Sequence, residues 1–265
     1  MVKNAHGLKN NIVCMKDIKQ YLTEGFKLNK NYKKPYSYFP KTRDELQDII
    51  DELIDKQGYE ADLNDIDTSK ITDMSSLFEN SDFDGDISRW DVSNVEDMQY
   101  MFYMTTNFSG DLSKWDVSNV KDMSSMFQDS NFNGDLSKWD VSNVKDMSDM
   151  FESSPFNGDI SNWNTINVEN MCNMFYNSEF DGDLSQWDVS NVRDMYGMFY
   201  GSKFSGKNGS LENWDVHNVQ DMDYMFCESN FNGDLSKWDV SNVKTMKHIF
   251  DMSRLEGKKP KWCKK

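Results

Sequence analysis

The sequence predicts an α/β repeat solenoid, with short coils stacked so that a parallel β-sheet lies on one side and helical or 3₁₀ turns on the other, behind an α-helical N-terminal cap. Three observations lead there. The tryptophans fall at Trp90, Trp115, Trp139, Trp163, Trp187, Trp214, Trp238 and Trp262, so all eight obey one period of 24 to 27 residues. Within a period the apolar spacing changes from alternation, at Leu136, Trp139 and Val141, to the i, i+3, i+6, i+7 series of Val144, Met147, Met150 and Phe151. That change reads as a strand followed by a short helical turn. Finally, a single unit cannot bury its own Trp, Val, Met and Phe side chains, so neighbours must stack them into continuous columns.

The elements follow in chain order. Residues 1–65 form a basic N-terminal segment and cap, in which Thr42-Arg43-Asp44-Glu45 is a capping box. Leu46, Ile49, Ile50, Leu53 and Ile54 then mark the apolar stripe of a helix over about 43–56, ending near Gly58. Residues 8–24, with Ile12, Met15, Ile18 and Leu22, are predicted as a second helix covering the first. The array occupies 66–261 as eight units (66–89, 90–114, 115–138, 139–162, 163–186, 187–213, 214–237, 238–261), each returning through a Gly-Asp turn such as Gly158-Asp159. Residues 262–265 are a basic tail, in which Trp262 fills the tryptophan slot of an unfinished ninth unit.

Charge narrows the function classes. Asp and Glu outnumber Lys and Arg by 45 to 29, a net charge of −16, which repels a phosphate backbone and argues against nucleic acid as a partner. The charge is segregated: residues 1–41 carry nine Lys against two acids, 42–253 carry 42 acids against 14 bases, and 254–265 carry six bases against one acid. Cys14, Cys172, Cys227 and Cys263 are too scattered for a zinc site or a disulfide framework. No apolar run approaches a membrane span or a signal peptide, which on its own points to the cytoplasm.

Catalysis finds no anchor. Three His (His6, His217, His248) and no nucleophile elbow, zinc-protease motif or phosphate loop predict a protein that is not an enzyme and needs no cofactor. Recurring aspartates, such as Asp140, Asp146 and Asp159, lack the glycine-rich calcium turn and are read as turn and cap residues, so no metal is expected. The recurring Asn, as at Asn143, is read as a buried bridge between neighbouring coils.

Deviations from the repeat are the remaining signal. On the face bearing the residues that flank Trp, Asn164, Ile166, Gln186 and His217 make a weakly charged centre, either a docking patch or drift within a repeat. On the opposite side Tyr176, Tyr196, Tyr200 and Tyr224 fall in three consecutive units, either as exposed anchors for a partner or as half-buried aromatics between coils. The first patch is favoured, because a curved parallel sheet offers a concave binding surface.

The pattern L-x-x-W-D-V-S-N-V-x-D-M-x-x-M-F-x-x-S resembles the BspA-type leucine-rich repeats of bacterial surface proteins, including a repeat family of unknown function from Mycoplasma and Lactobacillus. The resemblance covers about residues 39–262. It implies a right-handed, leucine-rich-repeat-like coil, a cell-surface or secreted location, and adhesion through a protein partner. The expected function is therefore a monomeric, non-catalytic protein-binding scaffold. The alternative is an intracellular inhibitor or immunity-type protein whose acidic surface blocks the basic site of a nucleic-acid enzyme.

Overall fold

The computed structural model describes residues 36–264. They belong to the second of the two compact units into which the chain divides, Tyr36–Lys265. The helix expected over 8–24 lies outside the described residues. Helix α1 spans Arg43–Gln57 and starts at Thr42, whose Oγ1 accepts the Glu45 N–H at 3.2 Å. The Glu45 carboxylate reaches one residue beyond the reciprocal capping-box contact and accepts the Lys41 N–H at 2.7 Å. Leu46, Ile50 and Leu53 are the buried side of α1 and share one core with Ile71 and Met74 of the first repeat.

From Ile66 onward the chain is a repeat protein whose units stack in register. The rings of Trp139 and Trp163 lie 6.5 Å apart and nearly parallel, as do those of Trp163 and Trp187 at 6.2 Å. Phe127, Phe151 and Phe175 form a parallel column at 5.9 Å intervals. Each indole N–H is satisfied by the preceding coil: Trp139 Nε1 donates to Leu112 O at 3.0 Å. In the Met and Phe columns Met147, Met150 and Phe151 are fully buried, and Met246 of the last unit is only partly so.

The secondary structure assigned to each unit needs correction. Among the described residues there is no extended strand, and α1 with the 3₁₀ turns Glu256–Lys258 and Lys261–Lys264 accounts for all the helix. The alternating segment is two hydrogen-bonded turns, Trp139 N–H to Leu136 O at 3.1 Å and Val144 N–H to Val141 O at 2.9 Å. Both turns point their end residues inward, which imitates strand alternation. Among the described residues parallel pairing survives as isolated bridges: Tyr38↔Ile66 and Asp62↔Asp86 near the cap, then a row at the position before the first Met, running from Asp73↔Asp97 through Asp221↔Thr245.

The Met-x-x-Met-Phe segment is not a helical turn either. Alternate N–H groups reach the next unit: Met147 to Asn170 O, Asp149 to Cys172 O, Phe151 to Met174 O and Ser153 to Tyr176 O, at 2.7–3.0 Å. Between them Met150 and Ser154 close turns onto Met147 O and Phe151 O, with Asp149 (φ 58°) and Ser153 (φ 51°) in the third position. A positive φ there is the signature of a type II turn. The same two positions recur in every unit, so that fourteen non-glycine residues, including Tyr100, Met104 and Tyr224, adopt φ values that ordinarily cost about 1–2 kcal/mol each. A helix would direct these N–H groups along its own axis; the turns aim them at the next coil and still bury both Met and Phe.

Three further residue classes fall into place. The expected Gly158-Asp159 turn is absent; Gly158 is needed because the Phe156 ring lies over it, 2.9 Å from where a Cβ would sit. All three aspartate rows close Asx turns on the residue two ahead, as in Asp140 to Ser142 N (3.0 Å), Asp146 to Ser148 N (2.8 Å) and Asp159 to Ser161 N (3.0 Å). The Asn row bridges coils as expected, Asn143 Nδ2 donating to Ser118 O at 2.7 Å, but from an exposed side chain rather than a buried one.

Candidate functional site

The type II turns build one aromatic strip. In the unit beginning at Trp187, Tyr196 and Tyr200 each follow a buried column residue, Met195 and Phe199, and each precedes a glycine at a left-handed position, Gly197 (φ 57°) and Gly201 (φ 60°). Tyr176 occupies the Tyr200 position one unit earlier, so the two rings stack at 4.6 Å with 7° between their planes. Tyr224 sits at a left-handed position itself, edge-on to Tyr196 at 5.7 Å and tilted toward Tyr200 at 6.4 Å. His248, one repeat further in the Tyr224 column, stacks on that ring at 4.9 Å.

Carboxylates surround the strip. Tyr200 Oη donates to Glu228 Oε1 at 2.9 Å, and this bond, with burial, pushes the phenol up to about 12. Burial also raises Tyr176 and Tyr196, so these hydroxyls stay neutral. His248 Nδ1 lies 2.7 Å from Asp251 Oδ2. One unit before Tyr176, Glu152 is pushed up to about 8 by burial and by the neighbouring Asp149 and Asp129, and its Oε2 accepts from Gln128 Nε2 at 3.1 Å. Below Gly197, Asn173 Nδ2 donates to Asp149 Oδ1 at 3.1 Å, while its buried Oδ1 has no partner and fills the space a Gly197 Cβ would take. Stacked at 4.6 Å, Tyr176 and Tyr200 each cover a face of the other, and Tyr176, Tyr200 and Tyr224 are half-buried while Tyr196 is exposed. The geometry suits contact with a protein surface better than face-on stacking of a planar ligand.

The structure brings the four tyrosines together and leaves the other patch dispersed. Asn164 and His217 are exposed, and Ile166 is half-buried with its N–H on Asn164 Oδ1 at 3.3 Å. Ile166 O and His217 O accept from Asn191 and Asn242, while Ser190 O accepts from Asn218 between them, so one full unit separates Ile166 from His217 in their column. Gln186 is exposed, and its Nε2 donates to the neighbouring Ser185 Oγ at 3.2 Å. Among the described residues no extended strand forms the concave sheet that favoured this patch. Sequence reasoning missed His248 and Glu228 as members of the tyrosine strip; counting 24 residues on from Tyr224 would have found His248.

Among the described residues no group of three or more His, Cys, Asp or Glu side chains could hold a metal ion, and no helix is long and apolar enough to cross a membrane. Cys172, pushed up to about 12 by burial and the aspartates around it, is a poor nucleophile. No curated protein and no solved structure matches the chain. A family model described as "Mycoplasma protein of unknown function, DUF285" matches residues 47–155, 128–207 and 180–262. These overlapping matches run from helix α1 to Trp262, and the chain belongs to this repeat family.

Proposed function

We propose that the protein is a non-catalytic binding scaffold, a leucine-rich-repeat-like right-handed coil of the BspA kind, which adheres to a cell-surface protein through the strip of Tyr176, Tyr196, Tyr200 and Tyr224. The observation that carries this reading is the contiguity of the four rings across three units, amid an acidic surface. Elsewhere in the array those positions hold mostly Ser, Asp, Asn, Gln or Glu, with Tyr100 and Tyr103 as further tyrosines and Cys172, Gly197, Cys227, Lys247 and His248 as the other departures. Tyrosines of this kind supply contact area at low entropic cost, and carboxylates such as Glu228 favour a basic partner.

The test starts from cross-linking on native cells to identify the partner, followed by affinity measurements. The Tyr196→Ser/Tyr200→Ser variant should lose about 2 kcal/mol or more of binding, with Ile166→Asp unchanged. The reverse pattern would move the contact to Ile166, and unchanged affinity in both variants would sink the reading. A partner that proves to be a cytosolic nucleic-acid enzyme with a basic active site would replace adhesion by the inhibitor alternative.

A further inference from the structure

The side of the array that carries the tyrosine strip holds a second aromatic group. Main-chain bonds fix the register: Tyr100 N–H donates to Ser124 O, Ser125 N–H to Ser148 O, Asp149 N–H to Cys172 O and Asn173 N–H to Tyr196 O, so Tyr100 stands in the column that later holds Tyr224. Tyr103 stands in the column of Tyr176 and Tyr200, with Gln128 and Glu152 of two intervening units between. Tyr100 and Tyr103 meet edge to face, their ring centroids 5.6 Å apart at 80°. Met104 follows at a left-handed position and is 43% exposed. Among the described residues six large apolar side chains are exposed, and four of them, Tyr100, Met104, Tyr196 and Met252, lie on this one side. Core packing does not require them there, since other units hold Ser, Asp or Asn at the same positions.

Between the two aromatic groups the surface is low and acidic. In units 115–138 and 139–162 buried Ser124, Ser125 and Ser148 replace the large side chains, beside Asp129, Asp149 and Glu152. The side-chain donors to these carboxylates are amides, Gln128 Nε2 on Glu152 and Asn173 Nδ2 on Asp149, both at 3.1 Å. Among the described residues no ion pair includes any of the three. Burial and the neighbouring Asp149 and Asp129 push Glu152 up to about 8, as happens where carboxylates crowd without a counter-ion. The stack sets the span. Phe102, Phe127, Phe151 and Phe175 mark three steps of 5.5–5.9 Å from the unit of Tyr103 to that of Tyr176, and a further 5.8 Å reaches the unit of Tyr196 and Tyr200. An extended chain, rising ~3.3 Å per residue, crosses that distance in about six residues, and residues six apart project from the same side of it.

On the reading that the tyrosine strip binds protein, we infer that Tyr100, Tyr103 and Met104 are a second contact point of the same surface, which takes an extended basic segment of the partner laid along the stack, with an aromatic side chain at each end and Lys or Arg between. The aromatic ends pack on tyrosine and methionine side chains. The cations between them meet carboxylates that have no cation of their own in the described array.

The probe is the capped peptide Gly-Trp-Thr-Lys-Thr-Lys-Thr-Trp-Gly, whose two Trp and two Lys project from one side when it is extended, titrated into the full chain by calorimetry. Saturable binding is expected, weakened about tenfold or more by Tyr100→Ser/Tyr103→Gln and to a like degree by Tyr196→Ser/Tyr200→Ser. The first variant copies Ser125 and Gln128 of the next unit, and Ser125 has the same positive φ as Tyr100, so it should fold. Met104→Asp, which copies Asp129, is a second variant of the same contact point and should weaken binding less. A peptide with Glu for both Lys, and one reordered so that the two Trp lie side by side, should each bind the unaltered chain about tenfold more weakly. Loss of affinity in Tyr196→Ser/Tyr200→Ser alone overturns the inference and leaves the strip as the whole site. Loss in Tyr100→Ser/Tyr103→Gln alone, or in neither, overturns the inference and the reading of the strip together. No saturable binding by about 10 mM peptide, or equal binding by the Glu peptide, also overturns the inference.

Discussion

The two ends of the stack are closed by different means. At the N-terminal end a whole helix lies across the columns: Leu46 and Ile50 are completely buried, and Arg43 Nε donates to Ser75 O at 2.6 Å. At the C-terminal end two short 3₁₀ turns cover only the Trp and Phe columns, and Glu256 accepts one main-chain N–H. The direction of the ladder explains the choice of side chains. Through the Met-x-x-Met-Phe segments N–H groups point toward the following unit, so the first unit exposes carbonyls, which a guanidinium can satisfy, and the last exposes N–H groups, which need a carboxylate. A one-dimensional stack thus has ends that differ chemically even though its units are alike.

The largest effect should come from neither end. Trp139→Ala truncates a buried indole that stacks on Trp163, packs against Phe127 and is hydrogen-bonded to Leu112 O, and should cost about 3–5 kcal/mol in denaturant unfolding. Trp262→Ala, at a side chain that is only half-buried, should cost clearly less. Equal losses would mean that Trp262 is covered as fully as Trp139. Next in size, Ile50→Ala at the covered end should cost about 2–5 kcal/mol, against under about 1 kcal/mol for Val243→Ala at the open end, where water already reaches the side chain. Comparable losses would erase the contrast between the caps.

Overpacking gives a smaller loss. Gly134→Ala places a Cβ 2.6 Å from the buried Phe132 ring and should cost about 1–3 kcal/mol by melting. The smallest expected effect depends on pH. Glu152 binds its proton up to about 8 in the folded chain and only to its ordinary carboxylate range when unfolded. Its contribution is therefore fully present at low pH and is lost as pH rises through that window. The aspartates held low by Ser partners, Asp135 and Asp234 among them, act in the opposite sense at lower pH. The Tm difference between wild type and Glu152→Gln should therefore shift in favour of the variant between about pH 5 and pH 9; a constant difference would show that Glu152 titrates normally.

How much of this was readable from sequence depends on what repeats. Identity at a fixed period located the Trp, Val, Met and Phe columns, since a residue 24 positions away lies directly above its counterpart. It also put Tyr176 and Tyr200 in one column, although not that Tyr224 would lean between Tyr196 and Tyr200. Local conformation was misread because apolar periodicity reports which side chains face inward and not how the backbone brings them there. Met147, Met150 and Phe151 have helical spacing, yet they are produced by turns through left-handed residues. Those residues gave little warning: Gly197 and Gly201 advertise a positive φ, but Ser125, Tyr100 and Met104 do not. The half-open C-terminal face was hidden for the same reason, since Val240, Val243 and Met246 are spelled like their buried counterparts and only the path of the following residues leaves them uncovered.

Hydrogen exchange at individual amides tests the central claim, that inter-unit main-chain bonds hold the stack and run out at its C-terminal end. The amides of Met147, Asp149, Phe151 and Ser153, and their equivalents in the neighbouring units, should exchange at rates set by global unfolding, whereas those of Met246 and His248 should exchange many times faster. Rapid exchange at Asp149 and Ser153, or protection at Met246 and His248 in the free chain equal to that at Met147 and Asp149, would contradict the account.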